Sequence, residues 1–191
     1  MEENIVYFET LGKSNTRQVL SMVKERAQAR GIKRVVLAST RGDTAREAAE
    51  AFDGTGLELV VIPWQFGFGK AQPFPRELKS ELEEKGHQVH FGTMLFHTDD
   101  LYGSKTPQLM ANLLRIFGQG MKVVVEIIMM ACDGGCIEAK ETVIVVAGTG
   151  AGSDTAVVAT AAPSNRWTKI RIHEIICKPL MVRQEDRDSK E

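Results

Sequence analysis

Apolar positions along this chain fall into two alternating rhythms, short unbroken runs and four-residue spacings. Val35-Val36-Leu37 within Arg34–Ala38 form the continuous apolar run of a buried parallel strand, and Leu57–Ile62 and Thr142–Ala147 read as further strands. Ile5–Glu9 reads as a first strand and Gln88–Phe91 as a short one. Ser14 and Asn15 are N-cap candidates for a helix over Thr16–Arg30, with Val19, Val23 and Ala27 on one face and Gly31 as its stop. Asp43 or Thr44 opens a second helix through Ala45, Ala48, Ala49 and Phe52. Pro75 suits the first position of a third, with Leu78 and Leu82 four apart and Gly86 at its end. Thr106 and Pro107 begin another through Leu109, Leu113 and Phe117. Met121–Ile137 is apolar without a decisive period, and its length favours a buried helix over a strand. Thr155–Ala161 and Lys169–Lys178 read as two late antiparallel strands.

Early strand–helix alternation followed by two strands predicts an α/β fold, a three-layer α/β/α sandwich with a mostly parallel sheet. Residues 1–182 are expected to form a single domain and 183–191 a solvated, mixed-charge tail.

Composition narrows the partners. The 191 residues carry a formal net charge of -1, with no basic stripe, so nucleic acid is not expected. No apolar run reaches the roughly 18 residues of a membrane span, and the longest, Val123–Cys132, is broken by Glu126. Three cysteines, an odd number, and an acidic Met-Glu-Glu-Asn start predict a cytoplasmic protein with reduced thiols. The apolar Val123–Met130 stretch is the one hint of a homo-oligomer, and a core would absorb it equally well.

Two loops after strands invite an anion. Ser39-Thr40-Arg41-Gly42-Asp43-Thr44 offers hydroxyls, a glycine and an arginine, and runs into a helix N-terminus, where free N–H groups and the helix dipole favour negative charge. A ligand-free cap turn is the plain alternative, and Asp43 opposes a phosphate unless its carboxylate turns onto the helix. Gly148-Thr149-Gly150-Ala151-Gly152-Ser153-Asp154-Thr155 has three glycines in five residues, suited to a nest of N–H groups or to close backbone approach. It is neither a P-loop nor a dinucleotide fingerprint, and a glycine-rich hairpin turn explains it as well. Trp64, Phe66 and Phe68 would stack on a planar ring or cap the core edge. Cys132 and Cys136 lack histidine partners for zinc and are expected to pack as small apolar groups. Acid–base candidates are His97, Asp154 and Glu126. Inside its apolar run, Glu126 must face water or find a partner.

Taken together, these segments resemble a known group. Val35 to Arg46 is similar to the strand–loop–helix of the pyruvate kinase C-terminal domain, whose Thr/Ser-rich loop holds a phosphate of the effector. Asn15-Thr16, Gly67-Phe68, Phe117 to Gly120 with Val125-Glu126, and Val146 to Gly150 through Asp154 to Val158 extend the likeness to stand-alone archaeal and bacterial "pyruvate kinase alpha/beta domain" proteins. Pro63-Trp64-Gln65 departs from the more polar segment usual there. The resemblance implies a three-layer fold, a pocket at the carboxyl ends of the strands, and FMN as its occupant. The expected contacts are Asn15, Ser39, Thr40, Arg41, Gly42, Thr44, Trp64, Phe66, Gly67, Gly148, Thr149, Gly150, Asp154 and Thr155. It implies no pyruvate kinase activity, because that chemistry belongs to a separate barrel of about 200 residues or more. A flavin- or phosphometabolite-dependent enzyme and a sugar-phosphate-sensing regulatory subunit are the alternative functions.

Overall fold

Strand residues of alternating direction build a sheet with two apolar faces. In the computed structural model, which describes residues 2–180, Val35, Leu37, Leu59, Val61, Ile144 and Val146 join one core, while Val36, Val60, Ile62, Val143 and Val145 join the other. The strands are β1 (Val6–Phe8), β2 (Arg34–Ala38), β3 (Glu58–Ile62), β4 (Gln88–Val89), β5 (Thr142–Ala147), β6 (Thr155–Thr160) and β7 (Arg171–Pro179), in spatial order β1-β7-β6-β5-β2-β3-β4. The pairings β1–β7, β2–β3, β2–β5 and β3–β4 are parallel, and only β6 runs antiparallel to its neighbours β5 and β7. The fold is therefore α/β, with a mixed, mostly parallel sheet. The tail expected over 183–191 lies outside the described residues. Among these residues no helix is long and apolar enough to cross a membrane.

Helices cover both faces. On the first lie α1 (Thr16–Arg30), α2 (Asp43–Ala51) and α3 (Arg76–Glu84), burying Val19, Leu20, Val23, Ala45, Ala48, Leu78 and Leu82. Gly31 ends α1 at φ 64°, its N–H bonded to the Ala27 and Gln28 carbonyls. Asn15 precedes α1 but does not cap it. Its amide instead holds Thr10, donating to that carbonyl at 2.8 Å and accepting from Thr10 Oγ1 at 3.0 Å. Pro75 sits just before α3 rather than inside it.

On the second face the apolar stretch forms the helix α6 (Gln119–Asp133), with Val124, Ile127, Ile128, Met130 and Ala131 against the sheet. The core thus absorbs the Val123–Met130 run. A second helix, α5 (Thr106–Arg115), packs on α6, and a short helix, α4 (Asp99–Tyr102), packs on α5. Ala111, with the half-buried Met110 and Leu114, faces inward, so Leu109, Leu113 and Phe117 point into solvent.

Candidate functional site

Parallel strands β2, β3 and β5 end together, so the loops that leave them converge at one edge of the sheet, where ligands of open α/β sheets bind. A cleft of about 530 Å³ lies there. It receives residues from α2 on one face of the sheet and from α6 on the other.

The loop after β2 forms the first wall, with Ser39, Thr40, Arg41 and Thr44 all lining the cleft. Ser39 Oγ accepts the Ala45 N–H at 3.2 Å and so closes the first turn of α2. Among the described residues no acceptor takes up the N–H groups of Asp43 and Thr44, which leaves the positive end of the α2 dipole open to an anion. Gly42 makes the turn at φ 91°, and a Cβ there would lie 2.4 Å from Leu78 Cδ2. The positive φ favours glycine here, and a Cβ would push the Leu78 side chain aside. Gly42 is consequently buried against α3 rather than in the cleft. Exposed Lys13, from the 3-10 turn Gly12–Asn15, lines the cleft as a further cation. Asp43 and Glu47 share the rim, and the Asp43 carboxylate makes no capping bond to α2.

Aromatic rings form the β3 side. Trp64 and Phe68 meet edge to face at 5.0 Å, and Phe68 meets His97 in the same manner at 5.1 Å. Phe66 turns away to pack on Phe91 at 4.8 Å. Gly67 forms the turn between them at φ 81°, and neither it nor Phe66 lines the cleft.

The loop after β5 lines the cleft with Gly148, Gly150, Ala151 and Gly152. Its glycines serve the chain before any ligand. A Cβ on Gly152 would lie 2.4 Å from Lys13 Cα, and one on Gly148 would lie 2.3 Å from the Gly152 oxygen. Asp154, fully buried, pins the loop: it accepts from the Gly12 N–H at 2.8 Å, the Thr149 N–H at 3.0 Å and Thr155 Oγ1 at 2.8 Å. Every bond it makes is internal, so Asp154 supports the cleft from behind. Asn15, Thr149 and Thr155 stand behind the wall with it. Among the described residues Thr149 Oγ1 is buried without a partner.

On the α6 side the cleft contains an ionic cluster. Lys122 and Glu126, one helical turn apart and both almost fully buried, are paired at 2.5 Å. Glu126 also accepts the Phe96 N–H at 2.9 Å and stands 3.4 Å from His97 Nδ1. Burial pulls the Lys122 ammonium below its ordinary range, against the opposing pull of Glu126. For Glu126, burial is the largest influence and pushes upward, but His97, Lys122 and the Phe96 N–H together hold it below the usual carboxylate range. The partner that Glu126 needed is thus Lys122, a residue the sequence reading passed over. The signal was present as a Lys-x-x-x-Glu spacing, which puts both groups on one helix face.

The three cysteines are free thiols. Cys136 is buried in the core with Cys132 packed against it. Burial pushes Cys132 and Cys177 up to about 12, which makes them poor nucleophiles. Among the described residues no cluster of acidic, histidine or cysteine side chains could hold a metal.

Fold and cleft together define an α/β domain with a polar pocket at the carboxyl edge of its sheet. The chain matches no known protein-family model. Among solved structures it is similar to Cryptosporidium parvum pyruvate kinase in complex with ADP, at 14% identity and a TM-score of 0.41, over 77% of this chain. The match covers 24% of that enzyme's chain, so this protein spans about a quarter of its length.

Proposed function

We propose that the protein is a binding module for a phosphorylated planar small molecule, with FMN the ligand that the cleft suits best. The observation that carries this reading is the joining, in one cleft, of an open helix N-terminus flanked by Arg41 and Lys13 with an aromatic edge built from Trp64 and Phe68. The cleft volume falls within the roughly 300–1,000 Å³ of ligand pockets. Ser39, Thr40, Arg41 and Thr44 would hold the phosphate, Trp64 and Phe68 would cover the ring, and Gly148 and Gly150 would form its backing wall. The module is proposed to act in the cytoplasm and to lack pyruvate kinase activity, so ADP and phosphoenolpyruvate with magnesium should give no turnover.

A visible absorption scan of fresh protein and a fluorescence titration with FMN test the reading. FMN should bind at micromolar concentration, with riboflavin at least tenfold weaker because it lacks the phosphate. Colourless protein that leaves flavin fluorescence unquenched would exclude FMN. A sugar bisphosphate bound in its place would favour a regulatory sensor. The His97–Glu126 contact favours one second reading, an enzyme acting on the same ligand, because a carboxylate beside an imidazole orients it for proton transfer. His97→Gln that spares FMN affinity but abolishes an identified turnover would support it.

A further inference from the structure

We infer that Lys122 is the second electrostatic pole of the cleft: it binds the oxygen-bearing edge of the ligand's planar ring and the negative charge which that edge gains on reduction. This rests on the FMN-binding reading above. The side chain is 2% exposed, lines the cleft, and has Glu126 as its one hydrogen-bonding partner among the described residues. Nζ also lies over the Phe96 ring, 5.4 Å from its centroid. An ammonium carries three donors, so two remain for the cleft. A buried charge left short of partners is costly, and a ligand oxygen would relieve that cost. Glu126 is committed to Lys122, to the Phe96 N–H and to His97, so it keeps Lys122 charged and in place.

The fold gives the two poles their separation. The phosphate loop leads into α2 on one face of the sheet, while Lys122 projects from α6 on the other. A ligand with phosphate at one end and a carbonyl-bearing ring at the other would cross the sheet edge between them. When dithionite supplies two electrons and the solvent one proton, the flavin ring takes the proton at N5 and retains one negative charge over N1 and the C2 carbonyl. Lys122 stabilises that charge, so the protein binds reduced FMN more tightly than oxidised FMN.

The test is the two-electron midpoint potential of bound FMN, together with its affinity, in wild type, Lys122→Met, Lys122→Arg and Lys122→Met/Glu126→Gln. The double variant removes the orphaned carboxylate and keeps the experiment informative if the single variant fails to fold. Wild type should hold the potential above that of free FMN. Both Met-containing variants should lower it by about 30 mV for each tenfold loss of preference for the reduced form, and Lys122→Arg should restore most of it. If wild type binds FMN but the potential is unmoved in the Met variants, this inference is wrong and the binding reading stands. If wild type binds no FMN, the binding reading itself fails and this inference falls with it.

A separate observation carries a second inference. Leu101, Tyr102, Leu109, Leu113, Ile116 and Phe117 are each between 55% and 72% exposed. Leu109, Leu113, Ile116 and Phe117, on α5 and the turn after it, recur at i, i+4, i+7 and i+8 and so share one helix face, and Leu101 and Tyr102 lie on α4, which packs against α5. Two of the six are aromatics, about 150–250 Å² each when full, and four are smaller aliphatics, so at these exposures they offer on the order of 600 Å², most of the roughly 800 Å² that one partner contributes to a standard interface. The geometry points to a second copy of this chain pairing stripe to stripe about a two-fold axis, since a linear apolar helix face is self-complementary. Sedimentation at micromolar concentration should give a dimer, and Leu113→Glu/Ile116→Glu a folded monomer with unchanged circular dichroism. A monomeric wild type, or a dimer that survives both charges, would overturn this assignment.

Discussion

Asp154 Oδ2 accepts the backbone N–H of Gly12 at 2.8 Å across 142 residues of sequence. The bond joins the loop after β5 to the turn that starts α1, and the same carboxylate holds the Thr149 N–H and the Thr155 hydroxyl. Removing the carboxylate strands buried donors, at about 1–3 kcal/mol each. Asp154→Ala should therefore lower stability by about 3 kcal/mol in urea denaturation, with Asp154→Asn intermediate because its amide keeps one acceptor oxygen. A loss of less than about 1 kcal/mol would contradict the pinning role.

Gly120 is pressed against β6. A Cβ on it would lie 2.1 Å from Thr155 Oγ1 and 2.5 Å from Thr155 Cβ. Helix propensity alone would make Gly120→Ala stabilising by about 1 kcal/mol. The clash reverses the sign, and overpacking of this kind costs about 1–3 kcal/mol. A lowered Tm is expected, and a raised one would show that α6 can shift away from β6.

Lys122 and Glu126 should couple strongly. Breaking a buried pair by removing one partner costs about 3–5 kcal/mol, whereas replacing both is far milder. Lys122→Met/Glu126→Gln should therefore be more stable than Lys122→Met alone. A double-mutant cycle from chemical denaturation gives the coupling directly, and simple additivity would argue against an ionised pair.

His87 should give the fold an acid-sensitive margin. Its Nδ1 accepts the Leu59 N–H at 3.3 Å, which requires the neutral ring. Burial first, and the Lys85 charge second, hold it below its ordinary value of 6.5. The unfolded chain binds the proton more readily than the folded one. The histidine's contribution is thus whole above about pH 6.5 and is lost as pH falls through the lower folded value. Stability measured from pH 7 to pH 5 should fall less steeply in His87→Gln than in wild type.

Strands β2, β3 and β5 were legible because a strand buried on both faces needs an unbroken apolar run, and no other element of that length does. The helix over α6 followed from length, and the end of α1 from Gly31, since glycine is free to take the positive φ of a helix C-cap. The α5 face was not legible. Its Leu109, Leu113 and Phe117 carry the spacing of a core helix, but the core reaches α5 through Ala111, Met110 and Leu114. Periodicity says that a helix has an apolar side, not what covers that side.

The cleft divides in the same way. The sequence by itself determined the Ser39–Thr44 loop, because a strand that ends in hydroxyl residues, glycine and a helix start creates open N–H groups locally. It also determined that Glu126 required a partner, because a carboxylate in an apolar run is costly alone. Only the tertiary structure decided that Lys122 is that partner within the cleft, that Asp154 and Thr155 brace the wall from behind, and that Gly148 and Gly152 admit the chain's own atoms. Each of these depends on contacts between segments distant in sequence or on opposite faces of the sheet, and local composition does not encode which of its neighbours a residue will meet.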